Sequence, residues 1–213
     1  GLAALPGVSS VTASMIPLIA GNSWGNNSNV EGCWKDPQAD THSMFNVVGA
    51  WYFGKMGVPL IQGREFTESD TAAAPRKAIV NETWARHFFP GQSPIGRRFN
   101  EGAGAAYDLE VVGVVKDSKY ASVRQEVPKL YFLAYAQKED SGSMSFYVRS
   151  PLPAEQLAPQ LRRAIAAIDP DLPIENLRTM QDQVRRSIRN DRPVFQLASA
   201  FAFLATVLAM LGL

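Results

Sequence analysis

The stretch from Gly49 to Met56 is the nearest approach to a ligand-binding motif, because it matches the GxxxxGK pattern of a phosphate-binding loop. In such a loop backbone amides surround the phosphate, and a hydroxyl side chain after the lysine binds magnesium. Met56 stands where that hydroxyl is required, and the bulky run Trp51-Tyr52-Phe53 lies where the backbone must close around the phosphate. The match is therefore interpreted as a chance one. Gly102-Ala103-Gly104 likewise lacks the third glycine of a dinucleotide-binding fingerprint.

The two histidines, His42 and His87, have no second histidine or cysteine at the spacing of metal ligands. His87 is expected to be structural or on the surface. A Ser-His-Asp arrangement is defined by geometry and not by sequence order, so the order of these residues alone does not test for one. The cluster of Glu65, Glu68 and Asp70 is expected to be a solvated turn. We predict no catalytic, cofactor-binding or metal-binding residues, and we interpret the chain as a protein that is not an enzyme.

Two glycosylation sequons occur, at Asn26-Asn27-Ser28 and Asn81-Glu82-Thr83. Asn81 is also well placed to cap a helix that begins at Glu82, which explains this asparagine without a sugar.

The C-terminal segment Val194–Leu213 contains no charged residue in twenty positions. As a helix it would be about 30 Å long, the hydrocarbon thickness of a bilayer. Its ten Val, Phe and Leu residues would contribute a total of about −3 to −6 kcal/mol to insertion, whereas Asp191 or Arg192 would each cost about 3 kcal/mol. We predict the start of a transmembrane helix over residues 193–213. A buried core helix is the alternative.

Composition excludes several classes of protein. The net charge of +1 gives no bias toward nucleic acid, and the single cysteine, Cys33, excludes an internal disulfide. The first residues lack the basic start of a signal peptide, so any export signal is expected upstream.

The elements between these features read as a mixture of short strands and helices. Residues Ala20–Gly32, rich in Gly, Asn and Ser, are predicted to form a mobile loop. Leu109–Val115 is predicted as a strand covered on both faces. The other predicted strands are Val8–Ser14, Phe45–Val48, Ala78–Val80, Lys129–Leu133, 144–149 and Leu172–Leu177, and the other predicted helices are Trp51–Met56, a helix from Glu82 carrying Trp84, Phe88 and Phe89 on one face, 155–168 and 179–190.

The last helix is expected to begin with a capping box formed by Thr179 and Asp182 and to run toward the predicted span. Arg185, Arg186, Arg189 and Arg192 lie just before that span. The positive-inside rule would place this end in the cytoplasm. A solvated helix face and contact with lipid headgroups both stay open for these arginines.

Several stretches taken in order resemble one known family: Leu5–Val8, Gly57–Leu60, Gly63–Asp70, Ala78–Glu82, Phe89–Gln92, Pro94–Arg98, Val111–Val115 and Asp169–Pro173. The chain resembles the periplasmic core domain of MacB-type proteins, which lies between the first and second membrane helices of FtsX-like permeases. It is similar to the duplicated permeases that carry no ATPase of their own. The segment Gly21–Gly32 has no counterpart in this likeness.

The resemblance implies an α+β fold with a porter-like βαβ subdomain at residues 1–49 and 129–192 and an inserted mixed α/β subdomain at residues 50–128. It implies a periplasmic domain of a bacterial inner-membrane transporter that acts in export or mechanotransmission. The implied partners are an ABC ATPase domain or subunit, a periplasmic adaptor protein, a second copy in a homodimer, and the lipid membrane through the C-terminal helix, without nucleic acid or cofactors. A soluble hydrolase with a buried C-terminal helix and an adaptor-binding module are the alternative functions.

Overall fold

Nine strands form one mixed sheet in the computed structural model, which describes residues 1–33, 39–102, 106–138 and 142–190. The strands are β1 (Ser10–Ser14), β2 (Trp24–Val30), β3 (His42–Val48), β4 (Leu60–Gly63), β5 (Lys77–Asn81), β6 (Arg98–Glu101), β7 (Leu109–Val115), β8 (Leu130–Ala134) and β9 (Ser145–Arg149). The α-helices of the described residues are α1 (Tyr52–Met56), α2 (Glu82–Phe88), α3 (Ala154–Ala166) and α4 (Met180–Asn190). Short 3₁₀ helices lie at Leu2–Ala4 and Tyr135–Gln137.

The strand order is β2-β6-β7-β5-β8-β3-β1-β9, with β4 paired to β7. Strand β2 has two partners, because Trp24–Asn27 pairs with β3 and Ser28–Val30 pairs with β6. Six strands therefore form a closed hydrogen-bonded circuit. The β3–β8 and β5–β7 pairs are parallel, and the other pairs are antiparallel.

Two hydrophobic clusters lie on opposite faces of these strands. In β5, Ala78 and Val80 belong to one cluster and Ile79 to the other, because successive side chains of a strand alternate between faces. The first cluster includes Trp84 of α2, and the second includes Phe53 of α1. Strand β7 contributes buried residues to both clusters, so the prediction of a strand covered on both faces is confirmed.

The predicted cap at Asn81 is confirmed. Its Oδ1 accepts hydrogen bonds from the Trp84 amide at 2.9 Å and from the Leu130 amide at 3.0 Å, and its Nδ2 donates to the Pro128 carbonyl at 2.9 Å. The side chain is 1% exposed. Asn81 thus links the end of β5, the start of α2 and the start of β8, and this buried amide accounts for the sequon.

The predicted mobile loop at Ala20–Gly32 is wrong, because most of it is strand β2. Its polar composition disfavours a strand locally, but backbone pairing with two neighbours overrides that preference. Ser28 and Val30 are buried, and the ring of Trp24 packs edge-on against Phe45 with centroids 6.2 Å apart.

The predicted strand at Leu172–Leu177 is also wrong. These described residues form no strand, and Leu172 and Leu177 are exposed. Pro173 lacks the amide that a ladder needs, and Asn176 adopts a left-handed conformation with φ of 56°, which interrupts an extended run. The predicted succession of strand 144–149, helix 155–168 and strand 172–177 therefore lacks its second strand, and β9 pairs only with β1 among the described strands.

Strand β9 is present, but its inward face differs from the alternation that the sequence suggests. Apolar Met144, Phe146 and Val148 alternate with more polar residues, which predicts that Phe146 faces the core, but Phe146 is 61% exposed. Tyr147 points inward instead and packs against the cluster that contains Tyr52 and Phe53. A side-chain period of two cannot by itself decide which face is buried when both faces carry aromatic residues.

Helix α3 buries Leu157 and Leu161 as its spacing predicts, whereas Ile168 lies beyond the end of the helix and is 69% exposed. The α+β class is confirmed. Strands from residues 1–49, 50–128 and 129–192 pair in one sheet, and the division into two subdomains stays a prediction. Within the described ranges, no helix has the length and apolarity needed to cross a membrane. The predicted transmembrane helix at 193–213 lies outside them.

The turn after β4 is ordered by a buried carboxylate, so the expectation of a solvated cluster is wrong for Asp70. Arg64 donates to both Asp70 carboxylate oxygens at 2.8 Å, and the Thr67 amide donates to the same carboxylate at 2.8 Å. The Asp70 side chain is 4% exposed. These hydrogen bonds, those from Arg64 above all, lower the pKa of Asp70 below its usual value.

We expect Asp70→Asn to lower the free energy of unfolding by about 2 kcal/mol at neutral pH, because the charge-assisted hydrogen bonds of a buried carboxylate are lost. The pKa of Asp70 is lower in the folded state than in the unfolded chain. The contribution is therefore complete above the unfolded value of about 3.9 and is lost as the pH falls through the folded value.

Urea unfolding of the wild type and the variant across this range measures the effect. Exposed Glu68 in the same turn supplies the control, Glu68→Gln, which is expected to change little. A difference between wild type and Asp70→Asn that persists at low pH would contradict this account.

Candidate functional site

The chance match to a phosphate loop has no phosphate-binding geometry. The amides of Phe53 and Gly54, which a phosphate loop would direct at its ligand, donate to the Glu65 carboxylate at 3.2 and 2.9 Å. A carboxylate at this position repels a phosphate. Tyr52 and Phe53 are buried in the core, so this segment forms helix α1 and packs it against the sheet.

The two histidines lie in different surroundings. His42 is exposed at the start of β3. His87 on α2 places its Nε2 2.8 Å from the Asp40 carbonyl oxygen, and Lys129 binds the Asp40 carboxylate at 2.7 Å. His87 therefore helps to fix residue 40 against α2. The described residues contain no group of three or more His, Cys, Asp or Glu that could hold a metal ion.

The acidic residues Glu65, Glu68 and Asp70 are not brought together in one site. Glu65 binds the amides of α1, Asp70 binds Arg64, and Glu68 is exposed. In the first sequon Asn26 is exposed, while Ser28 is buried in β2 and accepts a long hydrogen bond of 3.4 Å from the Trp84 indole. These residues support strands and turns.

The feature that best fits a functional role is the loop after β1, residues 16–21, which we call the anchor loop. Buried Asn46 on β3 holds its start. The Asn46 Oδ1 accepts from the Ile16 amide at 2.9 Å, and its Nδ2 donates to the Ile16 carbonyl at 2.9 Å. The side-chain amide thus replaces a backbone partner for Ile16 where β1 leaves the sheet.

Two tyrosines of the body hold the middle of the anchor loop. The Leu18 amide donates to the Tyr147 hydroxyl at 2.9 Å, and that hydroxyl lies 3.0 Å from Ser14 Oγ. The Ile19 amide donates to the Tyr120 carbonyl at 2.7 Å, and the Tyr120 hydroxyl donates to the Phe45 carbonyl at 2.7 Å. Burial raises the pKa of both Tyr147 and Tyr120, so both hydroxyls keep their protons at physiological pH.

Ile19 carries backbone strain at this point. Its φ of 56° lies in the left-handed region, which is an outlier for a β-branched residue. Strain of this kind costs on the order of 1–3 kcal/mol and persists only where surrounding contacts enforce it. The contacts from Tyr120 and from helix α4 supply that constraint.

Helix α4 reaches the anchor loop through Gln183. Its Nε2 donates to the Ile19 carbonyl at 3.0 Å and to the Leu18 carbonyl at 3.4 Å. Its Oε1 accepts from Arg178 at 3.0 Å, so both ends of the amide are held. The end of the described chain is thereby tied to the sheet through a short series of hydrogen bonds.

The start of α4 is the predicted capping box. The Asp182 amide donates to Thr179 Oγ1 at 3.1 Å, and Thr179 Oγ1 donates to the Asp182 carboxylate at 2.8 Å. The spacing of Met180, Val184 and Ile188 predicts one apolar face on this helix. Val184 and Ile188 are half-buried, but Met180 is 41% exposed and Gln183 takes its place on the inward side. The inward face of α4 is therefore more polar than the sequence suggests.

Arg185, Arg186 and Arg189 lie on the outward side of α4 and are exposed. Arg185 lies 3.9 Å from Asp182, and neither Arg186 nor Arg189 makes a salt bridge with any described residue. Arg192 lies outside the described residues.

The anchor loop and Gln183 were not predicted as functional residues. The available signal was a polar residue between positions of the apolar stripe, at Gln183 beside Val184. Its partners Leu18 and Ile19 are 165 and 164 residues away in the sequence, and no local pattern indicates them.

Comparison with known proteins gives a family and a fold. The profile of the family described as the MacB-like periplasmic core domain matches residues 2–168. No curated protein matches the chain.

Two crystal structures share this fold. The periplasmic region of MacB from Actinobacillus actinomycetemcomitans has a TM-score of 0.59 and 20% identity, over 89% of this chain and 79% of that one. The extracellular domain of the ABC-type transporter YknZ from Gram-positive bacteria has a TM-score of 0.52 and 19% identity, over 78% of this chain and 79% of that one. With the family profile covering most of the sequence, the chain belongs to the family of MacB-like periplasmic core domains of ABC transporter permeases.

Proposed function

We propose that this chain is the non-catalytic periplasmic domain of an ABC-type permease of the bacterial inner membrane, and that it couples the movement of a membrane helix to export or mechanotransmission. The observation that carries the proposal is the contact of Gln183 with the anchor loop. Through it, a displacement of α4 acts on Leu18 and Ile19 and, through their amides, on the body of the domain.

The proposed route is mechanical. A cytoplasmic ABC ATPase domain or subunit moves the membrane helix that we predict over residues 193–213. Helix α4 lies directly before this segment and transmits the movement as a rigid element. We place the hinge of this movement at Ile19, because release of its backbone from φ of 56° would offset part of the loss of the Gln183 contact.

A periplasmic adaptor protein and a second copy of the chain are the further partners that we propose, from the family alone. A soluble hydrolase is the competing function. It would need a nucleophile, a base and an orienting group within hydrogen-bond reach of one another. Among the described residues, His87 lies beside the Asp40 carbonyl and Lys129, and His42 lies at the exposed start of β3, so neither histidine supports this alternative.

Removal of Val194–Leu213 tests the predicted span against a buried core helix. The two hydrophobic clusters of the described residues lie between Met15 and Tyr147. We therefore expect the shortened chain to unfold at the same temperature as the full chain and to remain in solution without detergent. If the segment packs in the core, its removal costs several kcal/mol and the shortened chain is unfolded.

A core variant shows that the measurement is sensitive. Phe99→Ala removes a fully buried ring of the first cluster and is expected to cost about 3–5 kcal/mol.

A reporter inserted into the full-length permease tests the periplasmic placement. The exposed position between Gly142 and Ser143, ahead of β9, is suitable, whereas residues 24–30 are not because β2 lies there. We expect alkaline phosphatase to be active at this position and a cytoplasm-dependent fluorescent protein to be dark. The opposite pair of results would overturn the placement.

We expect Gln183→Ala to increase hydrogen exchange at the Ile19 and Gly21 amides, which donate to Tyr120 and Ala121. Loss of about 1–2 kcal/mol of hydrogen bonding corresponds to a rise of about 5- to 30-fold in exchange. Gln181→Ala is the matched control, because Gln181 lies on the exposed side of the same helix.

In the full-length permease with its ATPase, ATP is expected to change exchange at these amides in the wild type and in Gln181→Ala but not in Gln183→Ala. An equal response to ATP in both variants would show that the Gln183 contact is not the coupling point.

A further inference from the structure

The outward side of α4 carries positive charge that the folded body does not use. Arg185, Arg186 and Arg189 are exposed. Arg185 lies 3.9 Å from the Asp182 carboxylate, and the other two arginines form no salt bridge with a described residue. Residues 178–192 hold five arginines and two aspartates, which is a local charge of +3 in a chain whose total charge is +1. The rest of the chain is therefore slightly acidic, and the basic charge is concentrated at this helix.

The orientation of these arginines is set by the other side of α4. Gln183 is tied to the anchor loop, and Val184 and Ile188 are half-buried. Residues three or four apart share a helix face, so Arg185 and Arg189 lie together, with Arg186 beside them. The helix cannot turn these side chains toward the body without losing the Gln183 contact.

The position of α4 in the chain brings these arginines close to the uncharged segment. Arg189 precedes Val194 by five residues. That separation is about 8 Å if the chain stays helical and at most about 18 Å if it is extended. The headgroup layer of a bilayer is roughly 5–8 Å thick on each side. If Val194 begins a membrane span, Arg189 lies at the headgroups and Arg185 one helical turn farther out.

We propose that Arg185, Arg186 and Arg189 bind the phosphate groups of anionic phospholipids on the outward-facing surface of the membrane. A guanidinium donates two parallel hydrogen bonds to a phosphate, and a cluster of arginines next to a membrane span attracts anionic lipid. The inference rests on the proposed span at residues 193–213. It assigns to α4 a second contact, so that the helix is held to the body by Gln183 and to the membrane surface by its arginines.

This assignment accounts for the one charge pattern that contradicts a periplasmic placement. By the positive-inside rule the arginines would mark the cytoplasmic side, but that rule is weak for large translocated domains. Arginines that bind outward-facing phospholipid are compatible with the periplasmic side. The uncharged segment begins within a few residues of Arg189, and this closeness favours phospholipid over an acidic protein partner.

The test uses the full 213-residue chain in vesicles of phosphatidylcholine alone and of phosphatidylcholine mixed with phosphatidylglycerol. Hydrogen exchange of the α4 amides is measured in both. We expect exchange at residues 185–190 to be slower in the anionic vesicles, by about fivefold for each engaged arginine, and this difference to disappear at high salt. The triple variant R185Q/R186Q/R189Q should show no difference between the two vesicles.

The matched control is R162Q/R163Q, which removes two exposed arginines of α3 and should behave as the wild type. Equal exchange of wild-type α4 in the two vesicles overturns the proposal, and so does an equal loss in the control.

Flotation with neutral vesicles separates this proposal from the one on which it rests. If the wild type and the triple variant both float with phosphatidylcholine alone, the span is supported, and the exchange data decide the role of the arginines. If neither floats with neutral vesicles, the span fails. Salt-sensitive flotation with anionic vesicles that needs the three arginines then still supports lipid binding, and its absence overturns it.

Discussion

The amide of Asn46 is the interaction on which the organisation of this domain depends. Where β1 ends, the chain must leave the sheet without leaving Ile16 unpaired in a buried place, and the Asn46 side chain satisfies both the amide and the carbonyl of that residue. The Ile16 carbonyl also accepts from Ser14 Oγ at 2.8 Å, so loss of the Asn46 side chain would leave chiefly the Ile16 amide without a partner in a buried place. Asn46 thereby fixes the start of the anchor loop, so a residue on β3 helps to set the position of the carbonyl groups that Gln183 binds.

The closed circuit of six strands explains why the anchor loop is held on a rigid base. Strand β2 joins β3 to β6 and completes the circuit, so neither face of β5, β7 or β8 is left open to water. Close packing on both faces makes the body stiff. A stiff body and a capped helix leave the anchor loop, with its strained Ile19, as the compliant part between them.

The sequence allowed prediction of those features that depend on near neighbours. The Asn81 cap, the Thr179–Asp182 capping box and the buried run of β7 were all correct, because each is specified within a few residues. Strand β2 was missed because its stability comes from two distant partners. The strand at 172–177 was overpredicted, because apolar alternation does not reveal that Asn176 turns left-handed. The candidate site was missed for a related reason: it joins residues at opposite ends of the chain, and only the fold brings them together.

The placement of β1 between β3 and β9 has a consequence for how the domain assembles. The first strand pairs along its whole length with residues 145–149, the last strand of the described sheet, and the parallel pairing of β3 with β8 joins residues such as Met44 and Leu130 that are also far apart in the sequence. Contacts between residues so distant in sequence make folding slow, because a long loop must close before they are formed. The hydrogen bond from the Leu18 amide to the Tyr147 hydroxyl also forms only after β9 has paired with β1. The anchor loop that receives α4 is therefore complete only once residue 147 has joined the sheet, because the Leu18 amide finds its partner there.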